Sequence, residues 1–129
     1  MPTTPKLFLV LGALTAMLAV VLGAFGAHAL RAKLAPDLLA IYQTAVQYHF
    51  WHALGLLVIG VVAIHMPAAS MLKWAGWVMF AGIVLFSGSL YVLAITGARW
   101  LGAVTPFGGA AFIVSWVLLA IAVARASVT

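Results

Sequence analysis

The chain has no cysteine, a single acidic residue (Asp37) and, over 129 residues, a charged fraction of only 5%. Without cysteine there is no disulfide, no thiolate metal site and no cysteine nucleophile. One acid, with no nucleophile–base arrangement beside it, argues against hydrolytic chemistry. So little charge also excludes an ordinary soluble domain, where ~25% of residues are charged. Small chains bury the smallest fraction of their surface. A chain that is 67% hydrophobic, with a mean hydropathy of +1.29, could not hide its apolar surface in water at this length.

What charge remains is basic, with a net +5 and a pI ≈ 10.3. It does not describe a nucleic-acid interface, which would gather cations on one face. Lys6, Arg31, Lys33, Lys73, Arg99 and Arg125 fall one or two at a time at the ends of apolar runs. There they anchor helix ends and meet anionic headgroups.

Four stretches carry no formal charge: Leu7 to Leu30, Leu38 to Leu72, Trp74 to Ala98 and Trp100 to Ala124. Each exceeds the ~20 residues a helix needs to cross the ~30 Å hydrocarbon core of a bilayer. The reading is an all-α integral membrane protein: one domain over residues 1–129, a four-helix bundle running up-down-up-down, with helices over about 6–30, 36–65, 70–95 and 100–124. Lys6, the apolar stretch after it and Ala27-His28-Ala29 imitate a secretory signal. That stretch outruns the usual h-region of about 7–15 residues, so it is read as a retained first helix.

Local signals place the ends. Pro36 suits a first helical position, and Asp37 suits the positive end of the helix dipole. Nothing interrupts the second helix until Pro67. At 1.5 Å per residue it would be ~45 Å long, so its start is expected to project beyond the hydrocarbon near Asp37. Lys73, Trp74 and Trp77 read as interfacial anchors of the third helix. Thr105-Pro-Phe-Gly-Gly109 delays or kinks the start of the fourth. Small residues at Gly12, Gly23 and Gly26, in Ser87-Gly88-Ser89 and at Gly108-Gly109 read as places where helices approach closely in lipid.

Counting crossings assigns sides. The N-terminus, the turn at Pro67 and the C-terminus share side A; the loop at Arg31 and the turn at Arg99 share side B. Polar residues collect toward side B: His28, Gln43, Gln47, Tyr48, His49, His52, Tyr91, Thr96, Arg99 and Thr105. Polar groups inside a membrane are costly and often functional. The expected binding cluster is His28, Gln47, Tyr48, His52, Tyr91 and Arg99, with His52 facing helix one or three. Helical rotation of ~100° per residue spreads the polar positions of helix two around its axis, so they cannot all line one pocket.

Each signal has a plainer reading. His28, His49 and His52 could hold haem or a metal, since imidazole suits zinc, copper and iron. Histidines three apart without an acid or cysteine are a weak ligand pattern, and hydrogen bonds to neighbouring helices explain them as well; no cofactor is predicted. Arg99 could bind a phosphate or carboxylate, or simply snorkel to headgroups. His65 reads as interfacial on side A.

Gly23-Ala-Phe-Gly-Ala-His28, Gln43-Thr44 with Tyr48 and His52, Leu85-Phe-Ser-Gly-Ser-Leu-Tyr91 and Thr105-Pro-Phe-Gly-Gly109 occur in an order and spacing that resemble the YgdD-type bacterial inner-membrane proteins, also known as domain of unknown function 423. The resemblance spans essentially the whole chain and implies a small multi-pass protein of the bacterial inner membrane. It brings no activity, substrate or catalytic residue. His49 is less clearly part of the motif than His52.

Three functions stay open: an accessory or binding protein recognising a lipid, a quinone or a partner subunit; a small transporter or channel, which at this size needs a homo-oligomer; and a histidine-based redox or metal protein. The first is favoured. The expected partners are the lipid bilayer and, beyond it, a second copy or a membrane subunit, with no nucleic acid. Both termini are expected in the cytoplasm, although three cations on each side leave the positive-inside rule without a decisive bias.

Overall fold

A computed structural model describes residues 2–66 and 69–126. Among these, four helices are long and apolar enough to span a membrane: α1 Thr3–Leu30, α2 Pro36–His65, α3 Ser70–Thr96 and α4 Arg99–Ala124. No strand occurs among the described residues. The architecture is an all-α four-helix membrane bundle. Pro67, expected in the turn between α2 and α3, lies outside the described residues.

The helix ends follow local chemistry. Pro36 opens α2 with Asp37 in its first turn, where a missing N–H and a negative charge are both tolerated. Gly97 closes α3 in the left-handed region, at φ 74°, a conformation that glycine adopts without a Cβ penalty. α4 starts with a 3₁₀ turn, Arg99–Ala103, before its regular helix opens at Thr105 with Pro106 behind it.

Two helices contain π-turns. Gly26–Leu30 widens the end of α1. Ile83–Ser87 interrupts the middle of α3, and such bulges often mark functional sites.

α2 and α3 form the centre. In their most apolar windows 44% of residues are buried, against 22% for α1 and α4, so the outer pair flanks the inner one. α1 lies along α2: a Cβ added at Gly12 would stand 3.0 Å from the Leu57 backbone nitrogen, and one at Gly60 2.9 Å from the Leu9 side chain. α4 lies along α3, where a Cβ at Gly108 would run into the Phe86 backbone. Gly88 differs from these close approaches, since a Cβ there would meet nothing within 4 Å.

Phe8, Leu56, Ile59, Ala75, Met79, Ile83 and Phe112 form the principal buried cluster, drawn from all four helices. Phe8 seats over Gly76 of α3 and meets Trp77 edge-on at 5.6 Å. The outward surface is as apolar as the inside: Leu14, Met17, Val20 and Val21 on α1 and Phe107, Ile113 and Val117 on α4 are exposed. A soluble bundle would turn such stripes inward; acyl chains cover them here. Trp74 and Trp100 are exposed near opposite ends, at headgroup depth.

Candidate functional site

The polar residues of α2 are divided between its two flanks. On the α4 flank, His52 is held at both ring nitrogens. Its Nδ1 lies 2.8 Å from the Tyr48 carbonyl, and its Nε2 accepts from the Trp116 indole N–H at 3.0 Å. A carbonyl can only accept and an indole N–H can only donate, so His52 is the neutral Nδ1–H tautomer. Its ring stacks on Phe112 with centroids 3.5 Å apart, and Tyr48 packs on Phe86 at 4.6 Å. A cleft of about 570 Å³ runs past Tyr48, His52, Phe86, Phe112 and Trp116, but the imidazole has no hydrogen-bonding capacity left to offer it.

The expectation that His52 faces helix one or three is therefore corrected: it faces α4. The cause is rotational. His52 stands one turn beyond Tyr48, on the face of α2 that the Phe112 and Trp116 side chains of α4 cover.

On the other flank, His49 is enclosed by α1, α2 and α3. It is 2% exposed, so its polar atoms have no water to fall back on. Its Nδ1 lies 2.8 Å from the Tyr91 hydroxyl, while its Nε2 is buried with no hydrogen-bond partner among the described residues. Nearby polar groups are already engaged. The Ser87 hydroxyl donates to the Ala45 carbonyl at 2.8 Å, and the Thr15 hydroxyl donates to the Leu11 carbonyl at 2.6 Å. The Thr15 carbonyl faces the same imidazole without closing a hydrogen bond to Nε2.

Beside this ring is a half-open cavity of about 300 Å³, bordered by Leu18 and Leu22 of α1 and by Ile83, Val84, Gly88 and Tyr91 of α3. The π-turn of α3 supplies Ile83, Val84 and Ser87 to its wall. Leu18 and Val84 are exposed on its border, so it communicates with acyl chains rather than with water.

The Tyr42 hydroxyl ties α2 to the Leu22 carbonyl of α1, and its ring meets Tyr91 edge-on at 5.3 Å. Gln47 is exposed beside a shallow groove between α1 and α2. His28 is exposed on the π-turn of α1. Arg99 forms an exposed ion pair with Asp37, 2.6 Å between Nη2 and Oδ2. The six residues expected to converge, His28, Gln47, Tyr48, His52, Tyr91 and Arg99, thus fall into separate places: Tyr48 and His52 toward α4, Tyr91 beside His49, Arg99 at the water boundary, and His28 and Gln47 on the outer surface. Among the described residues no three His, Asp or Glu side chains come together as a metal site.

His49 is a deeply buried residue that the expected cluster left out. The signal was present: Tyr42, His49 and Leu56 recur at steps of seven, and all three are at most 2% exposed. That is the spacing of one buried helix face.

The family model described as "Protein of unknown function (DUF423)" matches residues 22–109, a span that includes His49 and Tyr91 and stops before Trp116. The chain is 52% identical to the UPF0382 membrane protein YwdK of Bacillus subtilis (strain 168), over 93% of this chain and 98% of that protein. It is also 52% identical to a UPF0382 membrane protein of Staphylococcus epidermidis (strain ATCC 12228 / FDA PCI 1200), over 91% of this chain and 94% of that one. No solved structure matches. With a family model covering most of its length and relatives similar from end to end, the chain belongs to this DUF423 family of membrane proteins.

Proposed function

We propose that the protein is an accessory or binding protein of the bacterial inner membrane, holding a lipophilic molecule in the cavity between α1, α2 and α3. One observation carries the reading. His49, one of the residues lining a largely apolar cavity, has a buried ring nitrogen with no hydrogen-bond partner among the described residues. An unpaired polar group in hydrocarbon is costly, and a bound molecule with a complementary polar atom removes that cost. Apolar walls with a few placed polar groups are the usual make-up of a small-molecule site.

The test is occupancy. Purified from membranes in a mild detergent, the protein should retain a lipophile detectable by solvent extraction and mass spectrometry. Gly88→Met, which projects a side chain into the open space beside the cavity, should release it. Equal retention by the two proteins would sink the reading.

Orientation with both termini in the cytoplasm is part of the proposal. Arg99 is held by Asp37 at the first turn of α4. Lys6, Lys73 and Arg125 on side A then face only Arg31 and Lys33 as unpaired cations on side B. Acids weigh little in the positive-inside rule; Arg99 counts for less because it is held at the helix boundary.

A further inference from the structure

Resting on that binding reading, we infer that the molecule in the α1–α2–α3 cavity presents a hydrogen-bond acceptor, a carbonyl oxygen on an otherwise apolar body, to the Nε2–H of His49. The class comprises the ester carbonyl of a membrane lipid and the ring carbonyl of a quinone.

The polarity follows from the His49–Tyr91 pair. A neutral imidazole carries one N–H and one lone pair, so the 2.8 Å contact between His49 Nδ1 and the Tyr91 hydroxyl can be made in two ways. If Nδ1–H donates to the phenol oxygen, the phenol proton and the Nε2 lone pair are both left without partners. If the phenol O–H donates to Nδ1, only the Nε2–H is left. Each unpaired polar group in hydrocarbon costs free energy, so the second arrangement prevails. Tyr91 thereby acts as a positioning residue that fixes the proton on the outer nitrogen. The site offers a donor and seeks an acceptor.

Depth and access narrow the class. Thr15, His49 and Ser87 lie 12, 16 and 17 residues from the side A ends of their helices, roughly 18–26 Å at helical rise. That is inside the hydrocarbon layer and below the headgroups. With exposed Leu18 and Val84 on its border, the cavity is reached sideways through the bilayer. A free phosphate or sugar has no route there, whereas an acyl ester or a membrane-dissolved quinone already travels in that layer.

The experiment uses the full chain, labelled with ¹⁵N-histidine, in nanodiscs of dialkyl ether phospholipid, which contain no carbonyl. Three probes are titrated in turn: a diacyl phosphatidylglycerol, a short-chain isoprenyl benzoquinone, and a hydrocarbon of the quinone's size. The Nε2–H signal of His49, assigned by its loss in His49→Phe, is followed together with binding. The expected result is that a carbonyl probe moves the signal and the hydrocarbon does not. His49→Phe should bind that probe about three- to tenfold more weakly, the size of one neutral hydrogen bond. A response to the ester alone identifies a membrane lipid; a response to the quinone alone identifies a quinone.

Tyr91→Phe keeps His49 in place and guards against misfolding of the first variant. With the proton free to move to Nδ1, it should weaken the same probe and shift the ¹⁵N pattern toward the other tautomer. If all probes bind equally and the His49 signal stays still, the cavity reading stands and the acceptor proposal fails. A signal that reports a hydrogen bond to the Thr15 carbonyl in every state also overturns it. If no probe binds, both readings fall.

Discussion

The Trp116 indole N–H donates to His52 Nε2 at 3.0 Å and joins α4 to α2 through a neutral imidazole whose other nitrogen is capped by its own helix. His52 is thereby a structural fastener between α4 and α2, while His49, about 60° round the helix, faces α1 and α3.

His52→Leu is expected to destabilise the bundle by about 1–3 kcal/mol, because it leaves the Trp116 N–H without an acceptor. Trp116→Phe should cost less, and the double variant less than the sum, since one bond is being removed twice. Reversible unfolding in mixed micelles measures all three. Retention of a lipophile at His49 should be unchanged in each. His65→Leu, at the exposed side A end of α2, should alter neither property.

Gly108→Ala should be among the most damaging small substitutions, at about 1–3 kcal/mol or more, because the new Cβ meets the Phe86 backbone rather than a movable side-chain tip. Gly88→Ala should be neutral or stabilising, by up to about 1 kcal/mol from helix propensity, since nothing lies within 4 Å of its Cβ position. Thermal unfolding of the two variants side by side decides the contrast.

Ser87→Ala removes a hydrogen bond from α3 to the Ala45 carbonyl of α2. That carbonyl is also part of its own helix, so no acceptor is stranded. The expected loss is about 0.6 kcal/mol, typical of interhelical bonds in lipid. A loss several times larger would mean that Ser87 also holds the π-turn in place.

Asp37→Asn should leave the folded bundle intact in an unfolding assay, because the Asp37–Arg99 pair is exposed on both sides, 65% for Arg99 and 58% for Asp37, where water screens it. Its expected effect is on topology. With Arg99 released, C-terminal reporter fusions should show a larger minority of inverted molecules than the parent protein. A reporter on the parent that is active only outside the cytoplasm would reverse the orientation proposed above.

The helices were legible because span length is written in uncharged runs, and α2 was bounded correctly by Pro36-Asp37 and by His65 just ahead of Pro67. The distribution of polar side chains was only partly legible. Helical periodicity shows that Tyr48 and His52 share one face and that Tyr42 and His49 share another, but it cannot say which neighbour covers which face. That depends on how α1 and α4 are arranged around α2, a long-range matter. The π-turn at Ile83–Ser87 adds a second difficulty. It changes the phase of α3 just before Ser89 and Tyr91, so a regular 3.6-residue projection from Trp74 or Trp77 misplaces Tyr91, the partner of His49. Gly76 and Gly82 went unnoticed for a related reason: each is defined by a large residue on another helix, Phe8 and Phe112.

The division of α2 between two flanks also bears on how the protein is made. α2 is the least apolar of the four helices, with a mean hydropathy of 1.5 against 2.5, 2.2 and 2.3 for α1, α3 and α4. The side chains that satisfy it are synthesised after it: Tyr91 for His49, Arg99 for Asp37 and Trp116 for His52. When α2 leaves the ribosome, none of these partners exists. Its histidine-bearing half must wait near the headgroups, or within the insertion machinery, until the second hairpin of helices arrives. The helix made second is thus the last to acquire partners for its histidines and its acid, although a chain halted between α2 and α3 already contains two complete spans.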